Sequence, residues 1–236
     1  MVEITEEFVE NRVEELKKRD DVRAVGIVGS YARDPDGDHN DLDIYIIVEG
    51  EWRKRVTEKV DNVTIEKFFN SLKWAKHYFE RKKDSWYMVR WMENIDIRYD
   101  RDNAFDEVIE VAEQEKKEFG ISESEKNRIL YNIWDRQKDL EKMDDVGQKR
   151  YSMHELLDYL LEIIYRKKEV VPVKDNYRIE KLQEFDGYMY KLAQEFLTSS
   201  STLEKERKLE KMIDHVTKGI GQPHPEWETE REKFED

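Results

Sequence analysis

Two aspartates at alternate positions, Asp41 and Asp43, open a hydrophobic run that extends to Val48. Side chains two residues apart on a strand point to the same face, about 7 Å apart along the chain. Carboxylates placed in this way repel each other unless a cation neutralises them. Mg²⁺ prefers such oxygen ligands and completes its shell with waters and substrate phosphates. The spacing therefore predicts a divalent-metal site that serves phosphoryl or nucleotidyl transfer.

A glycine–serine pair, Gly29-Ser30, follows the preceding hydrophobic run, Val22 to Val28. Glycine permits a tight turn and a close approach of ligand to backbone, and we expect Ser30 to cap a short helix that begins at Tyr31. The N–H groups at a helix N-terminus bind anions, which predicts a site for β- and γ-phosphates. Either motif alone is also typical of an ordinary turn or a solvated strand face, but their combination favours a nucleotide site.

Glycine–serine after one strand, followed by aspartate–x–aspartate at the start of the next, resembles the nucleotidyltransferase superfamily that includes DNA polymerase beta. The resemblance covers residues 22–105 and is closest to the small antibiotic-modifying (aminoglycoside- or lincosamide-type) and minimal members. It implies that Asp41 and Asp43 bind Mg²⁺ in a two-ion reaction. It also implies that Gly29 and Ser30 bind the phosphates of an NTP, expected to be ATP, with Arg33 nearby.

The resemblance further implies a third carboxylate on a later strand, which completes the metal site. Glu66 lies on the strand that follows Asp43, whereas Asp96 lies between two isoleucines on a strand further along. The order of the elements favours Glu66, so we predict Asp41, Asp43 and Glu66 as catalytic and metal-binding residues. Asp96 remains the alternative, and the general base is either Glu66 or a carboxylate from the second domain.

Three aromatic residues, Trp86, Tyr87 and Trp91, cluster before the strand that contains Asp96. Such a cluster stacks on a nucleobase or sugar in some proteins, but aromatic side chains near a sheet more often belong to the core or an interface. We therefore interpret them as core residues first and as a stacking surface second.

The elements that must position these residues fall into two parts. Hydrophobic periodicity predicts an α+β domain, residues 1–118, in which strands are flanked by helices. The resemblance implies that the strands form a nucleotidyltransferase-type mixed β-sheet and that this domain binds the NTP and the metal. Residues 119–236 are predicted to form an all-α helical bundle, and the plan of the antibiotic-modifying members implies that this bundle binds the acceptor. The predicted strands are 22–28, 42–48, 63–69 and 94–99, and the predicted helices are 5–19, 52–60, 72–81, 104–118, 122–143, 152–168, 178–197 and 203–218.

Composition limits the partners. The formal net charge of -14 disfavours a nucleic-acid substrate and fits a small cationic acceptor such as an aminoglycoside-like antibiotic, although such a charge is first of all typical of a well-solvated surface. The absence of cysteine excludes disulfides, and with no signal-like N-terminus and no long apolar run we expect a cytoplasmic protein without a membrane segment. The aromatic content is compatible with a homodimer. Two alternatives remain, a protein-nucleotidylating (AMPylating) enzyme of a toxin–antitoxin type and a noncatalytic nucleotide-binding protein.

Overall fold

The computed structural model describes residues 4–80 and 85–228. The chain divides into two compact units, Met1–Glu118 and Phe119–Asp236. The first unit contains a sheet with helices, and the described residues of the second unit form helices joined by loops, without a strand. None of the described helices is long and apolar enough to cross a membrane.

A mixed five-stranded sheet with the strand order β3-β4-β2-β1-β5 forms the centre of the first unit. Strands β2 and β4 pair in parallel, and the other neighbouring strands pair antiparallel. The predicted α+β class and mixed sheet are therefore confirmed. The strands are β1 (Val22–Val28), β2 (Asp41–Val48), β3 (Arg53–Val60), β4 (Val63–Ser71) and β5 (Asp96–Asp100), and the helices are α1 (Glu6–Lys17), α2 (Gly29–Arg33), α3 (Leu72–Glu80), α4 (Ser85–Glu93) and α5 (Ala104–Lys117).

Period-two alternation along β2 gives the sheet two different faces. One face packs on α1, whose N-cap Thr5 accepts a hydrogen bond from the Phe8 amide at 3.2 Å. The other face carries Asp41 and Asp43, followed by aromatic packing with α4 and α5. The α1-side core includes Val9, Val13, Leu16, Val25, Ile27, Leu42, Ile44, Ile46, Ile65 and Phe69.

The predicted helix over residues 52–60 is wrong, because this segment forms the edge strand β3. Asp61 and Asn62 both have positive φ angles, 49° and 69°. Two consecutive residues of this kind are typical of a type I′ turn, which joins β3 to β4 in a tight hairpin. Helix α4 was missed, and the predicted end of α3 at Arg81 lies outside the described residues.

The second unit contains α6 (Glu123–Lys142), α7 (Val146–Lys167), α8 (Arg178–Phe185), α9 (Gly187–Thr198) and α10 (Thr202–Thr217). The predicted single helix over 178–197 is wrong. Asp186 separates α8 from α9, and its carboxylate caps α9 by accepting a hydrogen bond from the Met189 amide at 3.0 Å. Helix α7 begins earlier than predicted because Asp145 caps it by accepting from the Gln148 amide at 2.7 Å.

Candidate active site

Gly29 and the Asp43 carboxylate are in direct contact where β1 passes into α2. Gly29 has a φ of +80°, and a Cβ atom on it would lie 2.2 Å from Oδ2 of Asp43. Antiparallel pairing aligns the preceding residue, Val28, with Asp43, which is 8% exposed. Only glycine fits this position without displacing the carboxylate. The local fold therefore places a buried carboxylate against the backbone that starts α2.

Ser30 lies within the first turn of α2, so the prediction that it caps a helix starting at Tyr31 is wrong. The helix begins at Gly29, its N-cap residue is Val28, and no side chain of the described residues caps it. The Ser30 carbonyl accepts a hydrogen bond from the Asp34 amide at 3.2 Å at the other end of this short helix. First-turn N–H groups have no partner within their own helix, so they remain suited to phosphate oxygens.

Asp41 and Asp43 share one face of β2, and Glu66 on β4 lies beside them. In the parallel β2–β4 pair, Asp41 aligns with Thr64 and Asp43 aligns with Glu66. Neighbouring strands are separated by about 4.8 Å, so aligned side chains on the same face are immediate neighbours. The structure therefore brings Gly29, both aspartates and Glu66 together at one end of the sheet.

Arg55 on β3 forms an ion pair with Glu66 that the sequence analysis missed. Its Nη2 atom lies 2.5 Å from Oε2 of Glu66, and its guanidinium lies 4.9 Å from the centre of the Phe68 ring. The negative charge of Glu66 is thus already matched by a cation. Within residues 4–80 and 85–228, no group of three or more His, Asp or Glu side chains is arranged to hold a metal ion.

The donor set fits a magnesium ion that is bound together with a nucleotide. Asp41 and Asp43 supply two oxygen ligands on one face of the sheet, and the first turn of α2 adjoins Asp43. Mg²⁺ is usually bound through one or two carboxylates plus substrate phosphates, rather than by a complete protein cage. A third protein ligand is therefore not required, and metal binding by Asp41, Asp43 and Glu66 stays a prediction.

Asp96, the alternative third carboxylate, belongs to a different cluster. It aligns with Ile27, whose side chain lies in the α1-side core. Its carboxylate accepts a hydrogen bond from Arg98 Nε at 2.7 Å, and Arg98 also binds Glu6 and lies 2.8 Å from Glu10. The Arg98 hydrogen bond lowers the pKa of Glu6. The structure therefore places Asp96 on the opposite face of the sheet from Asp43.

Arg33 is exposed at the last residue of α2. The loop that follows is closed by His39, whose Nε2 lies 2.5 Å from the Asp34 carbonyl and whose ring packs edge-on against Tyr31 at 5.5 Å. Gly29 and Arg33 are four residues apart on α2, about 6 Å along the axis. A phosphate-binding role for Arg33 stays a prediction.

Trp91 packs on the sheet next to the acidic residues. Its ring lies 4.8 Å from that of Phe68 and 6.1 Å from that of Tyr45, which follow Glu66 and Asp43 by two positions on their strands. Tyr45 is fully buried, burial raises the pKa of its phenol, and its hydroxyl has no hydrogen-bond partner among the described residues. Tyr87 is 45% exposed. Trp91 is thus part of the packing that supports the site.

The fold is similar to that of a nucleotidyltransferase-like protein from Exiguobacterium sibiricum 255-15, known from a crystal structure at 1.90 Å resolution. The TM-score is 0.51 over 89% of this chain and 76% of that chain, with 15% sequence identity. No protein-family model matches the chain. No curated protein matches it either. The likeness establishes a shared fold, whereas membership of the nucleotidyltransferase superfamily and closeness to the antibiotic-modifying members stay predictions.

Proposed function

We propose that this protein is a metal-dependent nucleotidyltransferase that transfers a nucleoside monophosphate, AMP from ATP, to a hydroxyl group of an acceptor and releases pyrophosphate. The observation that carries the proposal is the contact between Gly29 and the buried Asp43 carboxylate, with Asp41 on the same face. The contact places a carboxylate pair that suits Mg²⁺ beside the first-turn amides of a helix, which suit phosphate oxygens.

Each residue has a defined role in the proposed reaction. Asp41 and Asp43 bind Mg²⁺, which when bound neutralises the triphosphate and the developing charge on the pyrophosphate. The first-turn amides of α2, at Gly29 and Ser30, bind the phosphate oxygens. The acceptor oxygen bonds to the α-phosphorus, the bond to the β-phosphate oxygen breaks, and Glu66 accepts the acceptor's proton.

The proposed acceptor is a small cationic molecule with a hydroxyl group, such as an aminoglycoside-like compound. The net charge of -14 supports this choice, because a negative surface raises the local concentration of cations. The second candidate function is noncatalytic nucleotide binding, which the ion pair between Glu66 and Arg55 favours because it occupies the proposed base. Pyrophosphate release in the presence of acceptor distinguishes the two functions.

Calorimetric titration with ATP, GTP, CTP and UTP, each with Mg²⁺, tests the proposal. We expect one nucleotide to bind in a Mg²⁺-dependent manner, and Asp41→Asn and Asp43→Asn each to weaken binding about tenfold or more. Asp20→Asn is the matched control, because Asp20 is exposed and lies at the opposite end of β1 from Val28. Binding that persists in chelator and in both site variants would refute the metal-dependent reaction.

A further inference from the structure

Arg55 lies on the edge strand β3 and reaches across to the site. Its cross-strand partner in the register is Phe68, and its side chain extends diagonally to Glu66, which aligns with Asp43 on the next strand. Strand β4 lies between β3 and β2, so the backbones of Arg55 and Asp43 are two strand spacings, about 10 Å, apart, and the Arg55 side chain covers part of that distance as far as Glu66.

The contacts of Arg55 suit an exchange of partners. Its side chain is 61% exposed, against 24% for Glu66, and exposed ion pairs contribute little to stability. The contact with the Phe68 ring holds the Arg55 side chain over the face of the sheet that carries Glu66. The planar guanidinium also matches phosphate oxygens at least as well as it matches a carboxylate.

We propose that Arg55 binds Glu66 only in the nucleotide-free protein and moves to the triphosphate when a nucleotide binds, which releases Glu66 toward the metal and the acceptor. The inference deepens the proposed function and rests on it. Its structural basis is that Arg55 holds the third carboxylate, and no group of three carboxylates among the described residues is arranged to hold a metal ion. It also predicts that nucleotide binding precedes the completion of the metal site.

Arg53 provides a matched control on the same strand. It lies two positions from Arg55 on the same face, and it stacks on Trp74 at 4.7 Å as Arg55 stacks on Phe68. Its Nη1 atom donates to the Tyr78 hydroxyl at 2.7 Å. Arg53→Gln therefore removes the same charge from the same strand without releasing Glu66.

The first measurement is a calorimetric titration of the full chain with Mn²⁺ alone. We expect Arg55→Gln to bind Mn²⁺ about tenfold more tightly than the wild type, since Glu66 becomes available as a ligand. The loss of the Arg55 positive charge would by itself make the site more favourable for a cation. The comparison is therefore repeated in a Glu66→Gln background, in which Glu66 cannot act as a ligand. There the Arg55→Gln substitution should give no further gain, and Arg53→Gln should match the wild type in both backgrounds.

The second measurement is the binding of ATP with Mg²⁺ to the same variants. Arg55→Gln should weaken binding about tenfold through the loss of one charge-assisted hydrogen bond, whereas Arg53→Gln should leave it within about twofold. Equal effects of the two arginine variants, or a Mn²⁺ gain that persists without Glu66, would overturn the inference. If the wild type binds ATP and Arg55→Gln binds it equally well, the exchange of partners is overturned but the proposed function is not. If the wild type does not bind ATP at all, the proposed function is overturned as well.

Discussion

Replacing Gly29 by alanine should damage both the stability of the first unit and its nucleotide site. A non-glycine residue in the left-handed region costs about 1–2 kcal/mol, and Gly29 has a φ of +80°. The new methyl group would also lie 2.2 Å from Oδ2 of Asp43, so the carboxylate or the backbone must shift. Overpacking of this kind costs about 1–3 kcal/mol, which gives a total of about 2–5 kcal/mol.

Gly50→Ala is the matched control, because it separates the two costs. Gly50 also has a positive φ, +91°, but its added Cβ would lie 3.1 Å from Trp52 Cδ1, a far milder contact. We expect about 1–2 kcal/mol for this variant and no loss of ATP binding. The free energy of unfolding is measured by urea denaturation, with hydrogen exchange of the β1 and β2 amides reporting on the first unit.

A double-mutant cycle with Asp43→Ala isolates the steric part. Removing the carboxylate should recover about 1–3 kcal/mol of the loss caused by Gly29→Ala, and the cost of the positive φ should remain. The reasoning would be refuted if Gly29→Ala changed the free energy of unfolding by less than about 0.5 kcal/mol or if the cycle were additive.

Three further predictions concern single side chains. Tyr45→Phe should leave the free energy of unfolding in urea unchanged or raise it by about 1 kcal/mol, because the buried hydroxyl has no partner among the described residues. A clear loss of stability would contradict this and point to a bound water. Burial raises the pKa of Glu125, but hydrogen bonds from Arg166 and Ser122 outweigh this effect and lower it to about 2. The stability that this depressed pKa contributes is present above the pKa of Glu125 in the unfolded chain and is lost as pH falls toward 2. The urea midpoint should therefore fall less with decreasing pH in Glu125→Gln than in the wild type. An equal change of the midpoint with pH in both proteins would contradict the assignment. Asp96→Asn should leave Mg²⁺-dependent ATP binding within about twofold in calorimetry, and a tenfold loss would return it to the site.

Local signals in the sequence were sufficient for the elements that carry the aspartates. The alternation from Leu42 to Val48 and the glycine that ends β1 each depend on neighbouring residues, and the structure contains both strands as predicted. The strand β3 was missed because its residues are mostly charged, as is common for an edge strand. The Asp61-Asn62 pair between two alternating runs was the signal of a hairpin.

The choice between Glu66 and Asp96 depends on information that is absent from local patterns. Both acids lie on strands with hydrophobic neighbours, and only the pairing of those strands decides which face each acid occupies. The register between β1 and β5 shifts between Val25 and Gly26, which alters the face that β5 residues share with β1. The partner of Glu66, Arg55, is likewise set by the register of the β3–β4 hairpin.

The order of strands along the chain has a consequence for how the protein folds. Four of the five strands lie within residues 22–71, and β5 joins them only at Asp96. Contacts that are close along the chain cost little loop-closure entropy and form fast. We expect the part of the sheet that carries Gly29, Asp43 and Glu66 to form first, with the addition of β5 as a later step. During synthesis these strands are complete before any helix of the second unit exists, so the nucleotide site can assemble before the chain is finished.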